Sequence, residues 1–347
     1  MFICLSSGAS PRYRQDVVRA MAMPKGSGLQ FRYDSKWIAP VIRDRISTGT
    51  VKDTPSLIVY IDQHDNTKIP ELVPCRFAKL VDAVSHGTTV SLVLALEEFA
   101  YAENLTAFNN EMRAASAGTL PAWQPDGKIT GAYWLEIGQE PRTAVKSLKL
   151  SEWEKIVAQV AGHPDFANES YFYTMEAIIA IGLGTTVSPQ DGVYELAPGR
   201  EYEFRIYHFH PTTVAPGTRL RLDTSSQWLA FTTNPVLIVD SRYDLKRVRL
   251  KTGKPSTRET AVLAILRNGV NGNANLEFDL PLQIRGTFWN TLGYGILLGT
   301  LLAGPQIVAA LSNPNLPAHN VAVISIVSGI LGLGAGVLAA FGLKKSV

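Results

Sequence analysis

From Arg200 to Pro211 the chain reads REYEFRIYHFHP, with Tyr202, Phe204 and Ile206 alternating with Glu201, Glu203 and Arg205. Successive side chains of a strand point to opposite faces, so this alternation marks a half-buried β-strand. Similar segments lie on both sides: VYELAPG (193–199), TRLRLDT (218–224), QWLAFTT (227–233), PVLIVDS (235–241), DLKRVRLKTG (244–253), ETAVLAILRNG (259–269) and ANLEFDLPLQIRG (274–286). Turn signals such as APG, NP, NG and NGNAN separate them. About seven short strands at this spacing predict an immunoglobulin-like β-sandwich over residues 189–286.

Beyond the sandwich the composition changes. FWNTLGYGILLGTLLAGPQIVAAL (288–311) and VAVISIVSGILGLGAGVLAAFGL (321–343) contain no charged residue. Each exceeds the roughly 20 apolar residues that cross a bilayer core as a helix. The linker SNPNLPAHN breaks them with two prolines, so residues 287–347 read as a transmembrane helical hairpin. Arg249, Lys251, Lys254, Arg258, Arg267 and Arg285 precede it, Lys344 and Lys345 follow it, and the linker has no Lys or Arg. The positive-inside rule then places both termini in the cytoplasm, with two spans in the cell inner membrane. Gly295 with Gly299, and Gly332 with Gly336, form GxxxG pairs. In lipid such pairs let helices approach closely, either within the hairpin or between copies of the chain.

Residues 1–188 read as a β-rich mixed α/β domain. SLIVYIDQ (56–63), ELVPCRFAKLVDAVS (71–85) and TTVSLVLALEEFAY (88–101) are strand-like, with turns but no helix between them. This order suggests an antiparallel, curved or barrel-like sheet. LSEWEKIVAQVAGHPDF (150–166) predicts a helix with Trp153, Ile156, Val157 and Val160 on one face and a capping box from Ser151 to Glu154. A second helix is expected over 171–181, and a loop over 114–131. The fold class is thus mainly β with some α.

The whole chain has 347 residues, 46% hydrophobic, with a net charge of +3. That charge is too small to imply nucleic acid as a partner. Cys4 and Cys75 fit no ligand pattern and no disulfide framework, which suits a reducing compartment. The first residues lack the h-region of a signal peptide.

Candidate chemistry is sparse. His208 and His210 share a strand face but lack an evident third ligand. Asp62, His64 and Asp65 sit at a strand end, where catalytic groups gather and where ordinary turn residues also occur. Gly182-Leu183-Gly184-Thr185-Thr186 is glycine-rich without the lysine of a P-loop. No catalytic residue, metal or cofactor is therefore expected. The strongest surface signal is the basic run Arg242, Lys246, Arg247, Arg249, Lys251, Lys254 and Arg258. Just ahead of the membrane it could meet anionic headgroups, touch a partner or nucleic acid, or form a solvated strand face. A second basic stretch from Arg12 to Arg45 is interleaved with Tyr13, Phe31, Tyr33 and Trp37, a pattern compatible with docking on RNA, DNA or a protein and specific to none of them.

A β-rich body, a hairpin at 288–343 and a basic strand beside the membrane resemble the membrane effectors of prokaryotic immune operons, such as those partnering short Argonaute proteins. The resemblance is one of architecture, and no site residue is carried over. It implies an antiviral, non-enzymatic effector. A cytosolic partner or immune complex would bind the β-rich module, and the hairpins would oligomerise and depolarise or breach the membrane. A passive anchor recruiting a cytosolic partner and a membrane-tethered hydrolase are the alternatives. Direct nucleic-acid binding is not expected.

Overall fold

The computed structural model describes residues 2–7, 11–38, 40–62, 71–115, 133–136, 144–163, 166, 172–190, 192–211, 218–268 and 274–287. They are mainly β. The hairpin expected at 288–343, with Gly295, Gly299, Gly332 and Gly336, lies outside the described residues, as do His64, Asp65 and most of the loop expected at 114–131. Among the described residues no helix is long and apolar enough to cross a membrane.

The N-terminal part runs β1 (Phe2–Ser7), α1 (Pro11–Ala22), β2 (Gly28–Asp34), α2 (Pro40–Ser47), β3 (Pro55–Asp62), β4 (Glu71–His86), β5 (Thr89–Tyr101), α3 (Leu105–Ala115), β6 (Tyr133–Glu136), β7 (Lys146–Leu148) and α4 (Trp153–Ala161). One sheet has the order β2-β5-β4-β3-β1-β6, with β7 also on β5. β3 explains the layering. Its Leu57, Val59 and Ile61 pack with Phe108 and Met112 of α3. Its Ile58 and Tyr60 pack on the other face with Val17 and Met21 of α1 and Ile156 of α4. A strand covered on both faces needs an unbroken apolar run, and SLIVYI supplies it.

Three expectations for this region need correction. The sheet is mixed rather than antiparallel, because β1 pairs parallel to β3. Parallel neighbours need a crossover, and α1, β2 and α2 lie within it. The basic stretch from Arg12 to Arg45 is accordingly structured, with Phe31 and Tyr33 only 1% and 2% exposed and unavailable for docking. The capping box at Ser151 does not form either. A 3-10 turn over Leu150–Glu152 leads directly into α4, whose N-cap, Glu152, makes no side-chain cap. The apolar face of α4 is as expected, with Trp153, Ile156, Val157 and Val160 buried.

The second part runs β8 (Phe172–Ala180), β9 (Thr186–Val187), β10 (Tyr194–Leu196), β11 (Glu201–Phe209), β12 (Thr218–Thr224), β13 (Leu229–Phe231), β14 (Val236–Val239), β15 (Tyr243–Thr252), β16 (Glu259–Asn268) and β17 (Ala274–Ile284). Two five-stranded sheets form, β13-β15-β11-β8-β9 and β10-β17-β16-β12-β14. Tyr202, Phe204, Ile206, Val248 and Leu250 of the first share a core with Leu220, Leu222, Leu263, Ile265, Leu280 and Leu282 of the second. The segment at 171–181, expected as a helix, is the strand β8, antiparallel to β11. A short apolar run fits either periodicity, and here pairing with β11 decides. β8 and β9, which precede residue 189, belong to the first of these two sheets.

Candidate functional site: the basic end of the sandwich

β15 divides the basic run. Along Arg247 to Thr252, exposed Arg247, Arg249 and Lys251 alternate with buried Val248, Leu250 and Thr252. The strand's length separates the rest of the set. Arg242 lies at its start, where Nε donates to the His210 carbonyl oxygen at 3.2 Å and the guanidinium covers the Phe209 ring. Lys246 points inward, 13% exposed, and pairs with Asp244 at 2.6 Å. On the outer face, Glu203 of β11 pairs with Arg205 at 2.9 Å and Arg249 at 3.6 Å. Hydrogen bonding from Arg205 is the main reason its carboxyl lies below the usual range.

Lys251, Lys254 and Arg258 lie at the other end of the sandwich, where the described chain finishes. Arg285 N donates to Leu196 O at 2.9 Å, and Thr287 N to Pro255 O at 3.0 Å. Gly199 N donates to Gly253 O, and Thr252 N to Arg200 O. These bonds gather Arg200, Lys251, Lys254, Arg258 and Arg285 around Thr287. Glu195 forks between two of them, meeting Arg258 at 2.6 Å and Arg285 at 2.8 Å. Burial pushes its carboxyl up, but the hydrogen bonds from Arg285 and Arg258 outweigh it and leave the group below the usual range. Glu201 and Glu259 complete the acidic side. Five cations against three carboxylates leave this end at +2. The sequence reading missed Arg200 and did not group Arg285 with the site, because a turn and a neighbouring strand bring them in.

Gly253 and Gly199 keep this end tight. A side chain at Gly253 would meet the Trp228 ring at 2.6 Å, and Gly199 takes a φ of 69° with Lys254 packed over it.

The remaining sequence candidates are separated. His208 is 1% exposed and His210 6%. Burial, then Lys246 and His210, lower His208 to about 4, and no third metal donor joins them among the described residues. The glycine-rich 182–186 stretch is the turn between β8 and β9, with φ of 86° at Gly182 and 65° at Gly184. A strand, and no helix, follows it. Cys75 is buried, and burial raises its thiol to about 12.

No family model matches the sequence, and no curated protein matches it. Among solved structures, similarity extends to the CsuC–CsuE chaperone–tip adhesion complex of Acinetobacter baumannii, at 8% identity over 27% of this chain and 53% of that chain, TM-score 0.20. It extends to the C. elegans MSP family member WR4, at 9% identity over 27% and 92%, TM-score 0.18. The Vibrio cholerae VesB protease gives 8% identity over 64% and 84%, TM-score 0.19. The match spans about half of the adhesion-complex chain. Scores this low bear on neither fold family nor function.

Proposed function

We propose that the protein is a non-enzymatic membrane effector of antiviral defence. Its immunoglobulin-like sandwich stands on the inner leaflet of the cell membrane, and residues 288–311 and 321–343 form a two-span hairpin with both termini cytoplasmic. The observation that carries this reading is the position of Thr287. The chain reaches the uncharged segments from an end of the sandwich that carries excess positive charge.

Each cationic side chain near an anionic surface contributes roughly 1 kcal/mol. A net charge of two is then too weak to anchor a protein alone, but enough to orient one that the hairpin already holds. A cytosolic protein partner or immune complex binds the N-terminal domain on the cytoplasmic side. Binding there brings copies together, and Gly295, Gly299, Gly332 and Gly336 give the spans close-packing faces for a homo-oligomer that depolarises the membrane.

The test is membrane potential in triggered cells expressing the full chain or a chain ending at Thr287. Loss of potential with the full chain alone supports the proposal. Recruitment of a partner without loss of potential favours the passive anchor instead.

A further inference from the structure

We propose that Asp62, Glu71 and His163 form a binding site for a divalent first-row metal ion, zinc or manganese, independent of the membrane reading. Donor atoms of these three residues all lie within 4.8 Å of one another. They come from three elements. Asp62 ends β3, Glu71 opens β4, and the two are direct cross-strand partners. His163 follows the C-terminus of α4, where its Nδ1 lies 2.8 Å from Asp62 Oδ2.

Two features point to a cation rather than to a plain histidine–aspartate hydrogen bond. Carboxylates directly opposite on paired strands repel each other, yet no Lys or Arg among the described residues pairs with Glu71. The imidazole is also fixed before any ion arrives. It is 9% exposed, sits 5.5 Å from the Tyr60 ring, and its backbone is tied by His163 N to Val160 O and Phe166 N to His163 O. Asp62 is partly open and Glu71 exposed, which gives an ion a path in.

One imidazole nitrogen with two carboxylates suits zinc or manganese better than calcium, which prefers oxygen ligands alone. Around a tetrahedral ion the donors stand about 3.4 Å apart, so small rotations of the carboxylates close the site and water fills the remaining position. The ion would staple the β3–β4 pair to the end of α4. At its other end, α4 carries Trp153, stacked on Tyr207 of the sandwich.

The experiment measures zinc and manganese bound by the full chain in detergent, by equilibrium dialysis, with cobalt absorption as a report on the ligands. Wild type, Glu71→Gln, Asp62→Asn and His163→Gln are compared, with unfolding curves of the metal-free forms. The expected result is one saturable equivalent per chain, weakened at least about 100-fold in each variant. Glu71→Gln, at an exposed position, should melt like the metal-free wild type. Absence of saturable binding, or binding unchanged by Glu71→Gln and His163→Gln, would overturn the site.

Discussion

The guanidinium of Arg76 donates to the main-chain oxygen of Met23 at 2.8 Å, from the middle of a strand to the end of a helix. The same nitrogen reaches Ala20 O at 3.0 Å, and Nε reaches Glu97 O at 2.8 Å. Trp153 Nε1 donates to Met21 O, and Thr174 Oγ1 to Ala22 O. The last carbonyls of a helix have no partner within it, and here strands β4 and β8 and helix α4 satisfy them. Because β8 belongs to the sandwich, this cluster joins the N-terminal sheet to the second part.

Arg76 is 2% exposed, and no carboxylate lies within ion-pair distance among the described residues. Burial lowers its pKa to about 9, against the pull of Glu98. Arg76→Met keeps the volume and leaves three carbonyl oxygens without their donor. A loss of about 3–5 kcal/mol is expected, read by denaturant unfolding of the full chain in detergent. A loss below about 1 kcal/mol would mean that water replaces the guanidinium.

Acid stability reports on His208. The folded chain holds this imidazole at about 4 against an ordinary 6.5, so on acidification the unfolded chain takes up the proton first. Its stabilising contribution is complete above pH 6.5 and is lost as the pH falls toward 4, about 3 kcal/mol in all. Lys246 and His210 face the ring and push its pKa down, and Asp244 pulls it up. His208→Phe should flatten the stability profile between pH 6.5 and 4 relative to wild type. Parallel profiles would contradict this.

The β-strands of the second part were legible because they keep one face wet and one face dry. Tyr202, Phe204 and Ile206 alternate with Glu201, Glu203 and Arg205, and that pattern survives in the sequence without knowledge of any partner strand. β8 was misread because its first four residues, Phe172 to Met175, are buried on both faces, so no period-two alternation shows. The crossover from β1 to β3 was missed for a different reason. α1 owes its stability to Arg76, Trp153 and Thr174, which stand far away in sequence. The candidate sites divide in the same way. Alternation on β15 exposes Arg247, Arg249 and Lys251 as the sequence suggests. The inward turn of Lys246 and the grouping of Arg200 with Arg285 depend on the paired strands.

The basic end should respond to charge reversal. Lys251→Glu with Lys254→Glu moves the end from +2 to −2 and should weaken binding of the chain ending at Thr287 to vesicles rich in phosphatidylglycerol. Glu195→Gln should strengthen it, because Arg258 and Arg285 lose their counter-charge. Each effect should shrink with added salt, as screening at a surface requires. Equal binding to neutral vesicles would remove headgroup recognition from the account.

Bulky residues at the glycine faces separate insertion from assembly. Leucine at Gly295 and Gly299, or at Gly332 and Gly336, keeps the segments apolar but spoils close packing. A decrease of about 10-fold in depolarisation at unchanged membrane content is expected. Full activity would restrict these glycines to closing the hairpin.

The most direct test of the central claim is the membrane potential of triggered cells, measured with a voltage-sensitive dye, for the full chain beside the chain ending at Thr287. Collapse of the potential with the full chain and none with the shorter one is the predicted result. A potential that holds with both, while the partner still reaches the membrane through the full chain, would contradict it.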